Sequence, residues 1–437
     1  MSTDDTSKNP GRYVWFTTLY NARAYYPILA VLFLDLGLTL DQYVMLNLVW
    51  AATIFLFEVP SGALADTLGR KTLLVSASVL MVVEMSCLLF APKDGGWVLF
   101  SLCVANRFLS GLSEAAASGA DEALAYDSLP EGDREQAWDD VLAKSMRFRA
   151  VGFVIAMIVG GFLYDNSIVN RILPQSMAIS ASFAHRLPIA LVLIQAFVCL
   201  IITIRMVEPG KIHEEGTWKA CRKAVGLTLE TAKWVFTHRA TRTVVIIGLS
   251  IDAVVRNFAT ITSSYYRLIG LPEWVYGFLG ALVGLLGFGV PAIAAKLNKR
   301  FSTLANLGFA ACLALIGLSG IIPGNSLWCI VPAMLLMVTM SLLGFTVSRS
   351  LNRESDCARR ATVLSVKGLA FNLAYGSFGF GFSRLLASYP GGSGDAALRH
   401  ALLWQVPFFA LVTGVLLIWG KWQMGRVSGK GISSESH

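Results

Sequence analysis

Apolar runs recur along this chain, each closed by a short polar, glycine-bearing or proline-bearing stretch. About 20 mostly apolar residues in a helix cross the hydrocarbon core of a bilayer. Twelve segments meet that length, near residues 13–36, 41–64, 72–92, 96–123, 142–164, 184–207, 243–267, 274–296, 303–322, 327–348, 361–388 and 399–421. Backbone groups in lipid have to satisfy one another, so the expected element is a helix in every case. The pattern breaks once. Residues 208–242 form the one long polar stretch in mid-chain and divide six spans from six. Within it Trp218, Cys221, Val225, Leu229, Ala232, Val235 and Phe236 recur at helical spacing, which predicts an amphipathic helix on the membrane surface. The expected fold is an all-α membrane protein of twelve transmembrane helices in two six-helix, pseudo-repeated bundles. The expected divisions are a tail at 1–12, a bundle at 13–207, a loop at 208–242, a second bundle at 243–422 and a tail at 423–437.

Composition agrees with that reading. Of 437 residues 55% are hydrophobic and 15% charged, where a soluble domain carries about a quarter. Mean hydropathy is +0.60. The net charge of +8 lacks a basic run interleaved with aromatics, so no nucleic-acid partner is expected; the anionic inner leaflet is the partner that fits. With both termini in the cytosol, the outer connections hold only Lys93, Arg171, Arg186, Arg267, Arg384 and Arg399. Apart from Arg23, Arg107 and Arg256, which fall within spans, the remaining cations, Lys367 among them, then fall on the cytosolic side, which fixes the orientation. The N-terminus lacks a positive-then-apolar leader, so no cleaved signal peptide is expected. The seven cysteines form no CxxC pair and read as small core residues.

One junction between spans is dense in chemistry. FEVPSGALADTLGRK, residues 57–71, runs from an apolar helix into an acid, two glycines and two adjacent cations. Gly62 allows close helix approach, Gly69 a tight turn, Asp66 faces a positive helix end and Arg70 seeks an acid. This stretch resembles the loop between spans two and three of the major facilitator superfamily, with Thr67 where many members carry Arg. The resemblance implies a conformational latch. Asp66 would meet the start of span eleven near Arg360, while Arg70, beside Lys71, would pair with Asp121, Glu122 or Asp127. A degenerate sister stretch, GVPAIAAKLNKR at 289–300, keeps the cations and lacks the acid. Arg107 through Gly111 resembles the family's span-four signature. Gly152, Gly160 and Gly161 fit its span-five signature, although Ala156 and Met157 replace the Gly-Pro pair of many antiporters. EVPSG at 58–62 and SGADEALAYDS at 118–128 resemble a bacterial subgroup of small-molecule permeases.

Ionisable residues inside a bilayer are costly and mark function by default. Arg107, Glu114 and Asp121 are seven apart and share one face of a continuous span four. Asp252 and Arg256, four apart, pair along span seven. Arg23 lies on span one, and the resemblance places spans one, four and seven around a central cavity. Glu58, Asn257, Asn372 and Tyr375 complete the candidate substrate-binding and coupling set, with Glu114 the first choice for carrying a proton. Glu84, on a span that the family places at the periphery, reads as a structural hydrogen-bonding group.

No GxxxxGK[ST], HExxH or Cys/His cluster occurs, so neither ATP hydrolysis, nor a metal, nor another cofactor, nor enzymatic activity is expected. The expected driving force is an ion gradient, with protons as the expected ion, or the substrate's own gradient. The resemblance implies a monomeric, multi-pass transporter of the cytoplasmic (inner) membrane that moves a small molecule by alternating access. The leading expectation is proton-coupled export of small amphiphilic compounds. The alternatives are proton-coupled uptake of an anionic metabolite or metal chelate, and a transporter-like receptor that moves nothing.

Overall fold

The computed structural model describes residues 6–209, 217–356, 359–390, 392 and 394–431. The described residues are 86% helical, with no strand among them. In chain order the helices are α1 (Asn9–Asn21), α2 (Leu29–Asp35), α3 (Leu40–Leu68), α4 (Arg70–Leu89), α5 (Gly96–Ala117), α6 (Ala120–Asp127), α7 (Arg134–Tyr164), α8 (Asn166–Ile172), α9 (Ala181–Ala184), α10 (Leu187–Arg205), α11 (Thr217–Thr237), α12 (Arg239–Leu268), α13 (Glu273–Arg300), α14 (Thr303–Ile321), α15 (Ile330–Glu354), α16 (Arg360–Ala387) and α17 (Asp395–Gly431). Among the described residues, nine helices are long and apolar enough to cross a membrane.

The other three expected spans depart from a single apolar rod for identifiable reasons. The segment 13–36 is not one helix. It stops at Asn21 and resumes through a 3₁₀ turn at Tyr26–Ile28, with buried Arg23 in the break. The segment 96–123 ends as a helix at Ala117, and Gly119 turns the chain with φ of +75° before α6 begins. Asp121 is therefore not on a continuous face with Arg107 and Glu114. The third, α16, is helical throughout but carries Lys367, Asn372 and Arg384. The helix expected within 208–242 is α11.

The chain divides into two compact units. The first comprises residues 1–39, 49–225 and 271–285, and the second 40–48, 226–270 and 286–437. In the first, α4 packs between α5 and α10, and α1 packs along α7. In the second, α12 is the central helix and packs on α15, α16 and α17. Hydrophobic driving force does not separate apolar helices from lipid tails, so close approach at small residues has to supply the packing. The glycines of α7 do this in the first unit. A Cβ at Gly152 would stand 2.8 Å from Thr18 Cγ2, one at Gly161 2.8 Å from the Gly277 nitrogen, and one at Gly160 would land on the Ala24 carbonyl. Gly111 of α5 closes in the same way on Trp50 and Thr53 of α3. Gly62 does not; a Cβ there meets open space, which corrects its expected role in helix approach.

These positions separate by stability. Gly160→Ala has to displace backbone and is expected to cost about 1–3 kcal/mol, the usual range for overpacking. Gly62→Ala is expected to be neutral or slightly stabilising, as Ala in an exposed helix interior is. Thermal unfolding of the two purified variants checks the difference.

Candidate functional site

Each unit carries its own cluster of ionisable side chains. In the first unit the break after α1 delivers Arg23 into the interior. Its Nη1 donates to Glu84 Oε1 at 2.7 Å and to the Tyr25 hydroxyl at 3.0 Å, and its Nε to the Tyr20 carbonyl at 3.3 Å. Arg23 is 3% exposed and Glu84 fully buried. The neighbouring hydroxyls continue the network. Tyr20 and Ser113 meet at 2.6 Å, and Ser113 Oγ donates to the Ala77 carbonyl at 2.8 Å. Arg23 is thus consumed by a structural pair, contrary to its expected place in an open cavity. Glu84 is its counter-ion, a stronger role than a hydrogen bond alone.

Arg107 differs. It is 5% exposed, donates from Nε and Nη2 to Asn106 Oδ1 at 3.0 and 2.9 Å, and lies 5.3 Å over the Phe33 ring. No carboxylate among the described residues pairs with it. Asn106 is itself held by the Glu84 carbonyl at 2.7 Å, so the amide that receives Arg107 is fixed. Glu114 is exposed on the same helix, beside Trp50 and within electrostatic reach of Arg23, Glu84 and Arg107. Glu58, half-buried on α3, is near enough to Glu114 for the two carboxylates to repel.

In the second unit Asp252 Oδ2 and Arg256 Nη2 are 2.7 Å apart along α12. Arg256 Nη1 also donates to Asn372 Oδ1 at 2.9 Å, and its guanidinium lies 5.7 Å from the Tyr375 ring. The Tyr375 hydroxyl meets Thr260 Oγ1 at 3.0 Å. Asn257 is buried with its Nδ2 unpartnered. Lys367, counted with the cytosolic cations, instead sits within α16, where Nζ donates to Ser348 Oγ at 3.0 Å and lies within electrostatic reach of Asp252 and Arg256. The cluster therefore holds two cations against one acid.

The junction at 57–71 builds a clamp at one end of the first unit. Gly69, with φ of +91°, turns the chain from α3 into α4. Arg70 Nη1 donates to the Ala123 carbonyl at 2.9 Å and pairs with Asp127, which selects one of the three acids considered. A further acid that spacing did not single out, Glu208, serves the start of α4; its Oε2 accepts from the Lys71 backbone N–H at 2.8 Å and acts as a distant cap. Asn9, fully buried, donates to Ser128 Oγ at 2.9 Å and to the Val207 carbonyl at 2.7 Å. Asp121 accepts from the Glu122 N–H at 2.8 Å at the start of α6. The Asp66 side chain lies outside the described residues, and Arg360 is exposed at the start of α16.

Residues 14–376 match the model of the Major Facilitator Superfamily. The chain belongs to the Major Facilitator Superfamily. Solved structures agree on the fold. The nucleoside transporter NupG superposes with a TM-score of 0.71 at 10% identity, covering 96% of this chain and 99% of that one. A POT family transporter in complex with 5-aminolevulinic acid gives 0.69 at 13% identity, with 94% and 96% covered. A bacterial homolog of the human lysosomal transporter Spinster gives 0.67 at 13% identity, with 96% and 98% covered. No curated protein matches the sequence. Family and fold make this chain a transporter and not an enzyme.

Within this superfamily member the two kinds of buried cation make opposite predictions. Removing one partner of a buried ion pair strands the other and costs about 3–5 kcal/mol, whereas an apolar replacement of both is often neutral. Glu84→Gln is expected to lose that amount, and Arg23→Met with Glu84→Leu to regain most of it. Arg107→Met, which removes a charge that no carboxylate offsets, is expected to leave the unfolding temperature unchanged or raised. Thermal unfolding in detergent measures all three.

Proposed function

We propose that this protein is a proton-coupled secondary transporter that exports small amphiphilic molecules by alternating access. In this reading it has twelve spans, acts as a monomer in the cytoplasmic membrane and keeps both termini in the cytosol. The observation that carries the proposal is Arg107. A buried cation with only an amide and an aromatic face for company is a cost to folding, and such a residue persists where it serves a ligand. Its guanidinium against the Phe33 ring sets a charge beside an apolar surface, which suits a cargo with an anionic or zwitterionic head and an apolar body. Glu114, exposed and close to Arg107, is the proposed proton carrier. Protonation there would remove a negative charge that stands within electrostatic reach of Arg107, and an anionic cargo would supply one at closer range. The Arg70–Asp127 clamp, with Asp66, is the proposed conformational latch.

A second reading has its own support. Arg256 and Lys367 against Asp252 leave the second unit's cluster net positive, which favours an anionic cargo such as an organic acid or a metal chelate, taken up with protons.

Flux in proteoliposomes under an imposed pH gradient tests both. Glu114→Gln is expected to abolish the dependence of flux on the gradient while leaving folded protein in place; unchanged proton-coupled flux would remove Glu114 from the mechanism. Asp66→Asn is expected to slow transport at least several-fold with little loss of protein, and wild-type rates would dismiss the latch. Outward movement of lipophilic compounds supports export, and inward movement of organic acids or chelates supports the second reading.

A further inference from the structure

The helix α11 (Thr217–Thr237) belongs to neither charge cluster and is not among the membrane-crossing helices. Its apolar residues do not form one stripe. At about 100° per residue, Trp218, Val225, Leu229 and Phe236 fall within about 20° of a single line along the helix. All four are exposed, Trp218 to 83% and Leu229 to 65%. The protein-facing residues Thr231 and Val235, both buried, lie about 100–140° to one side of that line. Lys219, Arg222 and Lys233, all exposed, lie about 40–100° to the other side. The one apolar set read from spacing thus separates into a protein-facing row and a second, unused row bordered by cations.

We infer that this second row is a binding surface for anionic phospholipid headgroups, with Trp218, Val225, Leu229 and Phe236 inserted at the acyl boundary and Lys219, Arg222 and Lys233 on the phosphates. The membrane is the occupant that the residues select. The chain is a membrane protein, so a bilayer surface is always at hand, and the flanking charge is of the sign that attracts an anionic leaflet. Within α11 four cations (Lys219, Arg222, Lys223 and Lys233) face one acid, Glu230. Leu227, exposed on the opposite side about 180° away, is not part of the row and serves as an internal control.

The test uses the full-length protein in a cysteine-free background, reconstituted in phosphatidylcholine bilayers with and without phosphatidylglycerol. Nitroxide labels at Leu229→Cys and Leu227→Cys report collision with dissolved oxygen and with a water-soluble nickel chelate. The expected result is an oxygen-dominated label at 229 and a nickel-dominated label at 227. Adding phosphatidylglycerol should deepen the label at 229, and high salt or the combined Lys219→Gln, Arg222→Gln and Lys233→Gln substitutions should reverse that. A label at 229 as open to nickel as the one at 227, or indifferent to phosphatidylglycerol, overturns the inference. So does shielding from both colliders, which would mean packing on protein, or spin–spin broadening, which would mean a second copy of the chain.

Discussion

A charge in hydrocarbon has no water to hold it, and this chain places charges well inside its helices. Every buried ionisable side chain must therefore find a partner within reach or stand as a cost that something other than folding maintains. The two outcomes coexist within the first unit. Arg23 meets Glu84, two tyrosines and a carbonyl, and its charge is settled there. Arg107 meets an amide oxygen and a ring. The backbone obeys the same constraint. Where α1 breaks, the freed groups are used locally, with the Arg23 N–H on the Asn21 carbonyl and the Tyr26 N–H on the Arg23 carbonyl. The break is what lets the Arg23 side chain reach Glu84 on α4.

The two units solve the problem differently. In the first, the ion pair joins separate helices and is surrounded by hydroxyls that tie α1, α4 and α5 together. In the second, Asp252 and Arg256 pair along one helix, and the cross-helix links run from Arg256 to Asn372 and from Thr260 to Tyr375. A pair within one helix does little to fix neighbouring helices. A polar link between helices holds register; in the first cluster the ion pair itself is such a link, and in the second that task falls to Asn372 and Tyr375.

Much of this was legible in the sequence because membrane helices announce themselves by length and hydropathy. The i,i+4 pair of Asp252 and Arg256 was legible for a related reason: it depends only on spacing within one helix. What spacing cannot reveal is a contact between helices. Arg23 and Glu84 are 61 positions apart, and nothing local says that the span holding Arg23 is broken or that Glu84 faces inward. The same limit applies to Arg70, which had three acids in range and takes Asp127. Lys367 was counted with the cytosolic cations by its charge although it falls inside the expected span 361–388; α16 begins at Arg360, so seven residues into that helix the lysine reaches Ser348 and the Asp252–Arg256 pair. The face shared by Arg107, Glu114 and Asp121 failed for want of one local cue, the positive φ at Gly119. In α11 the spacing was right, but only exposure separated the row that packs on protein from the row that does not.

The central claim is that the ionisable groups around Arg107 serve a path that opens to water, and do not merely persist in a sealed interior. The most direct measurement is the reaction of a cysteine at position 114, in a cysteine-free chain, with a membrane-impermeant thiol reagent applied to one side of sealed vesicles at a time. Modification from each side in turn is expected, with binding of cargo shifting the balance between them. A cysteine there that reacts from neither side, or from one side only under every condition, would contradict it.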